Sequence, residues 1–343
     1  MALRFFLGAN SKDGFVSLFP RLQQEAPRRL YVVKSGPGCG KSTCIRRLSE
    51  ALGGAEELIF CSSDPDSLDG AVLQDAAILD GTAPHVFEPS FPGCDGDYLP
   101  LPAFLDRQGL EAQAPALYAL RAASRRHYDQ AYRLIRAAAL MRRERRETVS
   151  VLLARDPAAR AAGLVRRELP RLPGPGSLRV RFLDGVTPKG CLCLWDTVTA
   201  AAARVIALKD SFGLAHPLLE RLRDGALERG LRVYACLDPV EPERILHLLL
   251  PDADLAFVTD GGALPFTPTR TIRLDAMVPA ERLRPLRGRL RLLRRMEDAL
   301  LEDAVSQIAA AHALHDRMED IYRPHIDLDA MEDHYRQLLE RIR

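Results

Sequence analysis

The sequence predicts an α/β fold made of two similar modules in tandem, each with a largely parallel sheet and each followed by a helical extension. Three observations support this prediction. A glycine-rich loop lies between a strand-like and a helix-like run near the N-terminus, and residues 179–261 repeat the pattern of residues 3–81. Two stretches rich in Ala, Leu, Arg and Glu, 101–169 and 278–343, contain few helix breakers. An alternation of strands and helices is typical of βαβ units, whose strands run parallel.

The glycine-rich loop is the segment 35–43, with the sequence SGPGCGKST. It follows the apolar run 30–33 and precedes the helix-like run 45–52. This order suits a phosphate-binding loop (P-loop), because successive backbone N–H groups and the positive end of the helix converge on the phosphates of a nucleotide. Lys41 would reach the β- and γ-phosphates, and the Ser42 hydroxyl would bind Mg²⁺. The alternative is a fortuitous glycine-rich turn.

The consensus for such a loop begins with glycine at the position that Ser35 occupies in this chain. Serine is small, and Gly36 beside it keeps the backbone adaptable. We therefore predict two modules of the P-loop NTPase type, of which the first binds a nucleotide. The residues expected to bind the phosphates are Ser35, Gly36, Pro37, Gly38, Cys39, Gly40, Lys41, Ser42 and Thr43.

The internal repeat pairs the two halves block by block. The run RFFLGANSKDGF aligns with VRFLDGVTPKGC, RLYVVK with RVIALK, FCSSDP with ACLDP, and AAILDG with LAFVTDG. The order predicted for each block is strand, helix, strand, loop, helix, strand, helix and strand, which gives a largely parallel sheet in both halves. The equivalent pairs are Phe6 and Phe182, Gly14 and Gly190, Lys34 and Lys209, Asp64 and Asp238, and Asp80 and Asp260.

The glycine-rich loop is not preserved in the second half, which reads DSFGLAHPL over 210–218. Pro217 removes a backbone N–H, and Asp210 puts a negative charge where a phosphate would lie. We therefore expect the second loop not to bind nucleotide, and Asp260 to be a relic of the fold rather than a magnesium ligand. The positions of Ser35, Lys41 and Ser42 are taken by Asp210, His216 and Pro217.

A segment rich in proline and glycine separates the halves. Residues 170–176 read PRLPGPG, a composition that neither a helix nor an inner strand accommodates. The sequence therefore predicts a first module over 1–169, whose extension begins near residue 101, a linker over 170–177, and a degenerate second module over 178–343 with an extension from about residue 278.

An acidic residue at the end of an apolar run is the candidate second magnesium ligand. The run AAILD ends in Asp80, which a nucleotide-binding sheet would place beside the loop. Gly81 follows, where many ATPases carry the glutamate that positions the attacking water. The group that activates water must therefore come from elsewhere or be absent.

Two polar loops offer candidates for that role. Asp64 and Asp66, in the run CSSDPDSLD, could orient a water or a substrate hydroxyl, although Asp66 or Ser67 could instead cap the next helix. His85 could sense or stabilise the γ-phosphate, or be a solvated loop histidine. The predicted catalytic residues are Lys41, Asp64 and His85.

Two polar helical faces could be either binding sites or simply the solvated sides of their helices. A set of acidic and histidine side chains on neighbouring turns could bind a metal, but it also fits the solvated face of a helix. An arginine stripe could grip nucleic acid, but a solvated basic face is favoured. The first set is His312, His315, Asp316 and Glu319. The stripe is Arg284, Arg287, Arg291, Arg294 and Arg295, with Arg142, Arg143, Arg145 and Arg146 as an extension.

Bulk composition narrows the class of protein. Among the 343 residues, 47% are hydrophobic and 27% charged, and the formal net charge is +2, so overall charge does not indicate a nucleic-acid partner. No apolar run reaches the length of about 18 residues that a membrane-spanning helix needs, and the N-terminus turns polar too soon for a signal peptide. The seven cysteines contain no C-x-x-C pair, which favours a reducing cytoplasm.

Several motifs together resemble a bacterial family of tandem P-loop proteins that are known only as predicted ATPases. They are FFLGANSKDGF, SGPGCGKST, CSSDPDSLDG, ILDGTAPH and, near the C-terminus, HDRMEDIYRPHIDLD. The resemblance covers nearly the whole chain. It implies ATP as the nucleotide with Mg²⁺ as cofactor. It also implies that the phosphates and the metal ion are bound by Gly38, Gly40, Lys41, Ser42 and Thr43.

The same resemblance leaves the activity open. The family has no established substrate, and this chain departs from its pattern over 210–217. The favoured function is a slow Mg²⁺-dependent ATPase with one working site and a non-binding second half. One alternative is a small-molecule or nucleotide kinase whose acceptor lies against Asp64, Asp66 and His85. The other is a non-hydrolysing, ATP-dependent switch for a protein or nucleic-acid partner.

Overall fold

The structure, a computed structural model, describes residues 2–25, 29–84, 86–262 and 264–342. Within these residues the chain forms two six-stranded, mostly parallel sheets, two β-hairpins and a layer of helices. This arrangement confirms the predicted α/β class with two repeated units.

The first half contains eight strands in the described residues, six of which form one sheet in the order β1-β5-β6-β7-β4-β8. Every strand of that sheet is parallel to its neighbours except β6. The elements up to residue 168 are β1 (Leu3–Phe6), β2 (Gly8–Ser11), β3 (Gly14–Ser17), α1 (Phe19–Glu25), β4 (Arg29–Lys34), α2 (Lys41–Ala51), β5 (Glu57–Phe60), β6 (Leu68–Val72), β7 (Ala76–Asp80), β8 (Gly96–Pro100), α3 (Arg107–Ser150) and α4 (Ala161–Glu168).

The second half repeats this topology strand for strand. Its elements are β9 (Ser177–Arg181), β10 (Asp184–Thr187), β11 (Gly190–Cys193), α5 (Trp195–Ala201), β12 (Arg204–Lys209), α6 (His216–Leu227), β13 (Arg232–Leu237), β14 (Ile245–Leu250), β15 (Leu255–Asp260), β16 (Arg270–Arg273), α7 (Ala280–Leu283), α8 (Arg287–Tyr322) and α9 (Leu328–Ile342). The sheet order β9-β13-β14-β15-β12-β16 matches that of the first sheet, with β14 as the antiparallel strand. The predicted pairing of RLYVVK with RVIALK therefore corresponds to β4 and β12.

The order of elements predicted for each repeat is wrong at two points. The chain forms a hairpin after the first strand (β2–β3 and β10–β11), and it forms the antiparallel strands β6 and β14 where a helix was expected. All five residues of β6 are buried between β5 and β7, and a Cβ on Gly70 would lie 2.8 Å from Leu79 Cδ2. Close packing between β5 and β7 thus selects a strand at this position. Because a strand follows Ser67, the alternative that Asp66 or Ser67 caps a helix is wrong.

Equivalent residues of the two halves face each other where the sheets meet. Phe6 N–H donates to Phe182 O at 2.9 Å, and Phe182 N–H donates to Phe6 O at 3.0 Å. Asn10 Nδ2 donates to the carbonyl of Val186, which is its equivalent in the repeat, at 2.9 Å. Reciprocal contacts between identical positions are the signature of an isologous interface, so the halves are related by a local two-fold axis.

A buried ion network joins the halves beside this axis. Arg181 and Glu57 are both fully buried, and Arg181 binds Glu57 and Glu25 at 2.6 Å each. Arg179 binds Glu57 at 2.6 Å as well. Burial acts to raise the pKa of the Glu57 carboxyl, but the ion pairs with Arg181 and Arg179 outweigh it and hold the pKa below its ordinary value.

The two helical extensions form one antiparallel pair. His127 of α3 contacts Gln307 of α8 at 2.9 Å, and farther along α3 Arg142 binds Glu297 at 2.8 Å. The core between the two helices consists of Ala131, Ile135, Ala138, Ala139, Leu301, Ala304 and Ile308, with Val186 and Val240 of the second half. Leu301, Ala304 and Ile308 thus form an apolar packing face of α8.

Each helix of this pair extends across both halves. The end of α3 reaches the second half, where Val149 clusters with Leu214, Val278 and Leu290. The end of α8 returns to the first half at Tyr322. α4 also packs in the second half, against α6, although it precedes the linker in the chain.

We expect Arg181→Met to lower the free energy of unfolding by about 3–5 kcal/mol, because it leaves the buried carboxylates of Glu57 and Glu25 without their main partner. Urea denaturation would measure the loss. Arg166→Met, at an exposed arginine of α4, is the matched control and should change stability by less than about 0.5 kcal/mol. Equal effects of the two substitutions would show that the network does not anchor the junction.

Candidate functional site

The loop between β4 and α2 has the backbone geometry of an anion-binding turn. Gly38 and Gly40 adopt φ values of 66° and 72°, in the left-handed region that glycine alone enters without strain. Gly40 immediately precedes α2, an 11-residue helix that begins at Lys41. The positive end of this helix and its first N–H groups therefore open onto the loop.

Lys41 connects the loop to the neighbouring strand. Its Nζ donates to Gly36 O at 2.8 Å and lies 3.8 Å from Asp80 Oδ2, with the Lys41 side chain 16% exposed. Val33, near the end of β4, is opposite Asp80 at the end of β7. The register of these two strands therefore places Asp80 beside the start of the loop. The structure thus brings together Lys41 and Asp80, which the sequence predicted as phosphate and magnesium ligands.

The remaining polar groups around the loop are fixed by local hydrogen bonds. Ser42 Oγ accepts from Leu68 N–H at 2.9 Å, which ties α2 to the start of β6. Asp80 Oδ1 accepts from Thr82 N–H at 2.7 Å, and the Thr82 hydroxyl donates to Ser35 O at 3.3 Å. Hydroxyl and carboxylate oxygens are the ligands that Mg²⁺ prefers, so Ser42 and Asp80 fit the predicted metal ion chemically.

The other predicted catalytic residues have different surroundings. Asp64 accepts hydrogen bonds from the Ser67 hydroxyl and from Asp66 N–H within its own turn. Asp66 forms an ion pair with Lys189 of the second half. His85 lies outside the described residues.

The end of α8 covers the glycine-rich loop. A Cβ on Gly36 would lie 2.3 Å from Tyr322 Cε1, and a Cβ on Gly38 would lie 3.0 Å from Glu319 Cβ. These two glycines are therefore needed for close approach of α8. Sequence reasoning placed Glu319 on a solvated face and did not single out Tyr322.

The segment that follows α8 is attached to the first half through its backbone. Asp106 N–H donates to His325 O, and Asp327 N–H donates to Phe104 O, each at 2.9 Å. Met331 of α9 is buried, and Arg47 on α2 forms an ion pair with Glu332. The C-terminal helices thus hold both flanks of the loop.

Glu319 is an anion at the glycine-rich loop. A hydrogen bond from His315, whose Nε2 lies 3.4 Å from Glu319 Oε1, is the main cause that lowers the pKa of the Glu319 carboxyl. Burial opposes this shift, while Gly38 N–H and Lys41 add to it. The Glu319 carboxylate therefore interacts with two groups that a bound phosphate would use. The four residues for which a metal site was the alternative to a solvated face are paired along the helix, His315 with Glu319 and His312 with Asp316.

The equivalent loop of the second half is filled by its own side chain. Asp210 Oδ2 accepts from Ala215 N–H at 2.7 Å, and Oδ1 accepts from Phe212 N–H at 3.2 Å. Burial raises the pKa of Asp210, although these backbone donors lower it in part. His216, at the position of Lys41, accepts from Ile245 N–H through Nδ1 at 3.0 Å. Asp210 thus satisfies the Phe212 and Ala215 N–H groups from within the loop.

Another cluster, Asp184, Cys193 and His247, has ligand atoms within 4.8 Å of one another. His247 Nδ1 accepts from Thr259 N–H at 3.1 Å, so the ring proton lies on Nε2 and is donated to Asp184 at 2.8 Å. An imidazole bound in this way has no lone pair left for a metal ion. The arrangement is that of a buried structural hydrogen bond.

No family model, curated protein or solved structure matched this chain. Within the described ranges, no helix combines the length and the apolar character that crossing a bilayer requires. The geometry of the loop, of Lys41 and of Asp80 therefore carries the functional argument.

We expect Gly36→Ala to lower the free energy of unfolding by about 1–3 kcal/mol, because the new methyl group would overlap the Tyr322 ring. In a Tyr322→Ala background the same substitution should cost little, and denaturation of the four proteins measures this coupling. Gly163→Ala is the control, since nothing lies within 4 Å of a Cβ at that helical position. An unchanged cost in the Tyr322→Ala background would contradict the contact between α8 and the loop.

Proposed function

We propose that the protein binds ATP at the loop of residues 35–43 and hydrolyses it slowly with Mg²⁺, while the second half binds no nucleotide. The observation that carries the proposal is the pairing of Lys41 with Asp80 beside left-handed glycines at the start of α2. This combination offers backbone donors, a helix N-terminus, one lysine ammonium and one carboxylate to a nucleoside triphosphate. The resemblance to tandem P-loop proteins agrees with it.

In this proposal each residue has a separate role. Lys41 exchanges Gly36 O for the β- and γ-phosphates, since a lysine ammonium binds phosphate more strongly than a carbonyl. Ser42 and Asp80 hold Mg²⁺, which would neutralise charge that develops on the phosphates. The N–H groups from Gly38 onward point to the anion and fix its position.

The expected rate is low for a steric reason. A Cβ on Gly81 would lie 2.3 Å from Val32 Cγ1, so no glutamate fits after Asp80. Asp64 is engaged in its own turn. Without a water-orienting carboxylate at either of these positions, the loop supplies positioning and charge stabilisation but no nucleophile activated from there.

Glu319 and Tyr322 cover the glycine-rich loop, and this contact favours a second candidate function, an ATP-dependent switch. Phosphates at Gly38 and Lys41 compete with the Glu319 carboxylate for the same donors. Nucleotide binding therefore has to displace the end of α8. Through the contacts between α8 and the loop, the helical layer then adopts a different position when nucleotide is bound.

We expect the native protein to bind ATP and Lys41→Ala to bind it at least about tenfold more weakly, because a charge-assisted hydrogen bond is worth roughly 1.5–3 kcal/mol. Titration calorimetry gives the affinity, and Mg²⁺-dependent phosphate release gives the turnover. At a hundredfold excess over Kd the bound nucleotide should stabilise the protein by about 2.7 kcal/mol.

The internal repeat supplies the matched control for this experiment. His216→Ala removes the side chain at the equivalent position of the second loop and should leave ATP affinity unchanged. If the native protein binds no nucleotide, the proposed site is wrong. If His216→Ala and Lys41→Ala weaken binding equally, the assignment of a single working loop is wrong.

We expect Glu319→Gln to tighten ATP binding by roughly fivefold, since it removes a negative charge worth about 1 kcal/mol of repulsion next to the phosphates. Calorimetry with Mg²⁺-ATP measures the change. Glu302→Gln, at an exposed position of the same helix, is the control and should have no effect. Unchanged affinity with a loss of turnover would instead indicate that Glu319 takes part in hydrolysis.

A further inference from the structure

Arginine side chains surround a cavity at the other end of α8, beside the filled second loop. The cavity has a volume of about 590 Å³ and lies between α3, the start of α8 and the second loop. We name it the arginine cavity. The polar and aromatic residues that line it are Arg145, Arg291, Arg294, Arg295, Ser211 and Phe212.

We propose that the arginine cavity binds a small polyanion, a molecule with at least two phosphate groups, at a site separate from the loop of residues 35–43. A volume of this size lies in the range of small-molecule sites, roughly 300–1,000 Å³. Planar guanidinium groups bind phosphate oxygens in pairs, which makes arginine the residue suited to such a ligand.

Two of these arginines have no carboxylate partner within the described part of the chain. Arg291 and Arg295 are one helical turn apart on α8, and the hydrogen bond of Arg291 goes to the Arg287 carbonyl at 3.4 Å. Arg294 is paired with Asp298, at 3.3 Å, on the exposed surface. The cavity therefore carries positive charge that the protein itself does not neutralise.

Arg145 is the buried member of the group. Its side chain is 8% exposed, and Nη1 lies 2.7 Å from Glu297, a carboxylate that also binds Arg142. Its Nε is buried without an acceptor. Burial is the main cause that lowers the pKa of Arg145; Glu297 opposes the shift and Arg294 adds to it.

The cavity wall also limits where such a ligand can lie. The N–H and hydroxyl of Ser211 both donate to Asp275 at 2.8 Å. On the side of the second loop, these two Ser211 donors are therefore already used and are not available to a ligand. Phe212 and Leu290 form an apolar part of the wall. The phosphates would therefore lie on the α8 side, against Arg291 and Arg295.

Nucleic acid is the less suitable ligand because the basic stripe is interrupted. Arg142 binds Asp238 and Glu297, and Arg146 binds Glu241 through both terminal nitrogens at 2.8 Å. Arg142, Arg145 and Arg146 therefore do not extend the stripe onto α3, and the solvated face favoured from the sequence is also wrong for them, since their charges are used in ion pairs. A short basic cavity remains instead of a continuous track.

The test uses inorganic tripolyphosphate as the probe and the full chain with Lys41→Ala, which weakens binding at the first loop. Calorimetry at fixed ionic strength should show one binding site. Adding Arg291→Ser and Arg295→Ser together should weaken binding by at least about tenfold. Arg121→Ser with Arg125→Ser removes two exposed arginines at the same spacing on α3 and should leave affinity unchanged.

Three results would overturn the proposal. The first is no tripolyphosphate binding by the Lys41→Ala protein, and the second is an equal loss in both double variants. The third is a duplex DNA that binds more tightly than tripolyphosphate and depends on the same two arginines. Melting temperatures of all proteins verify folding, and Arg295→Glu provides a second variant at an exposed position. ATP binding by the native chain is measured separately. A native chain that binds no ATP would therefore contradict the proposed function without deciding whether the arginine cavity binds tripolyphosphate.

Discussion

The buried contact of Arg181 with Glu57 and Glu25 is the constraint on which the arrangement of the two halves depends. It lies beside the reciprocal hydrogen bonds of Phe6 and Phe182, where the sheets meet. Charges removed from water are tolerated only with their partners in place, so this junction accepts one geometry. That geometry in turn lets α3 and α8 lie across both halves, and it brings the end of α8 onto the first loop.

The two equivalent loops place an acidic side chain near their backbone N–H groups in different ways. A turn that exposes several backbone N–H groups beside a helix N-terminus needs an anion. The second loop contains its own, Asp210, and is complete without a ligand. The first loop has Lys41 and no acidic residue of its own. Its Gly38 N–H and Lys41 interact instead with the carboxylate of Glu319, on a helix far away in the sequence. An anion held by another element can be exchanged, whereas one built into the loop cannot.

Local sequence patterns predicted much of this structure, and contacts between distant residues explain the rest. The α/β class, the repeat and the position of Lys41 near Asp80 follow from strand, loop and helix signals. The strand β6 was missed because Gly70 and Asp69 are weak strand formers, and only burial between two neighbours selects that state. Glu319 and Tyr322 were not recognised as neighbours of the loop, because they lie far from it in the chain. The distinctive motif HDRMEDIYRPHIDLD was the one available signal.

α8 gives the molecule a mechanical property beyond its packing. Between Arg295 and Tyr322 this single helix spans about 40 Å, from the arginine cavity to the first loop. A displacement along the axis of this helix at one end is carried to the other end, because the backbone hydrogen bonds fix the rise per residue. Should the two proposed sites be coupled through this helix, thermodynamic linkage requires each ligand to change the binding free energy of the other by the same amount.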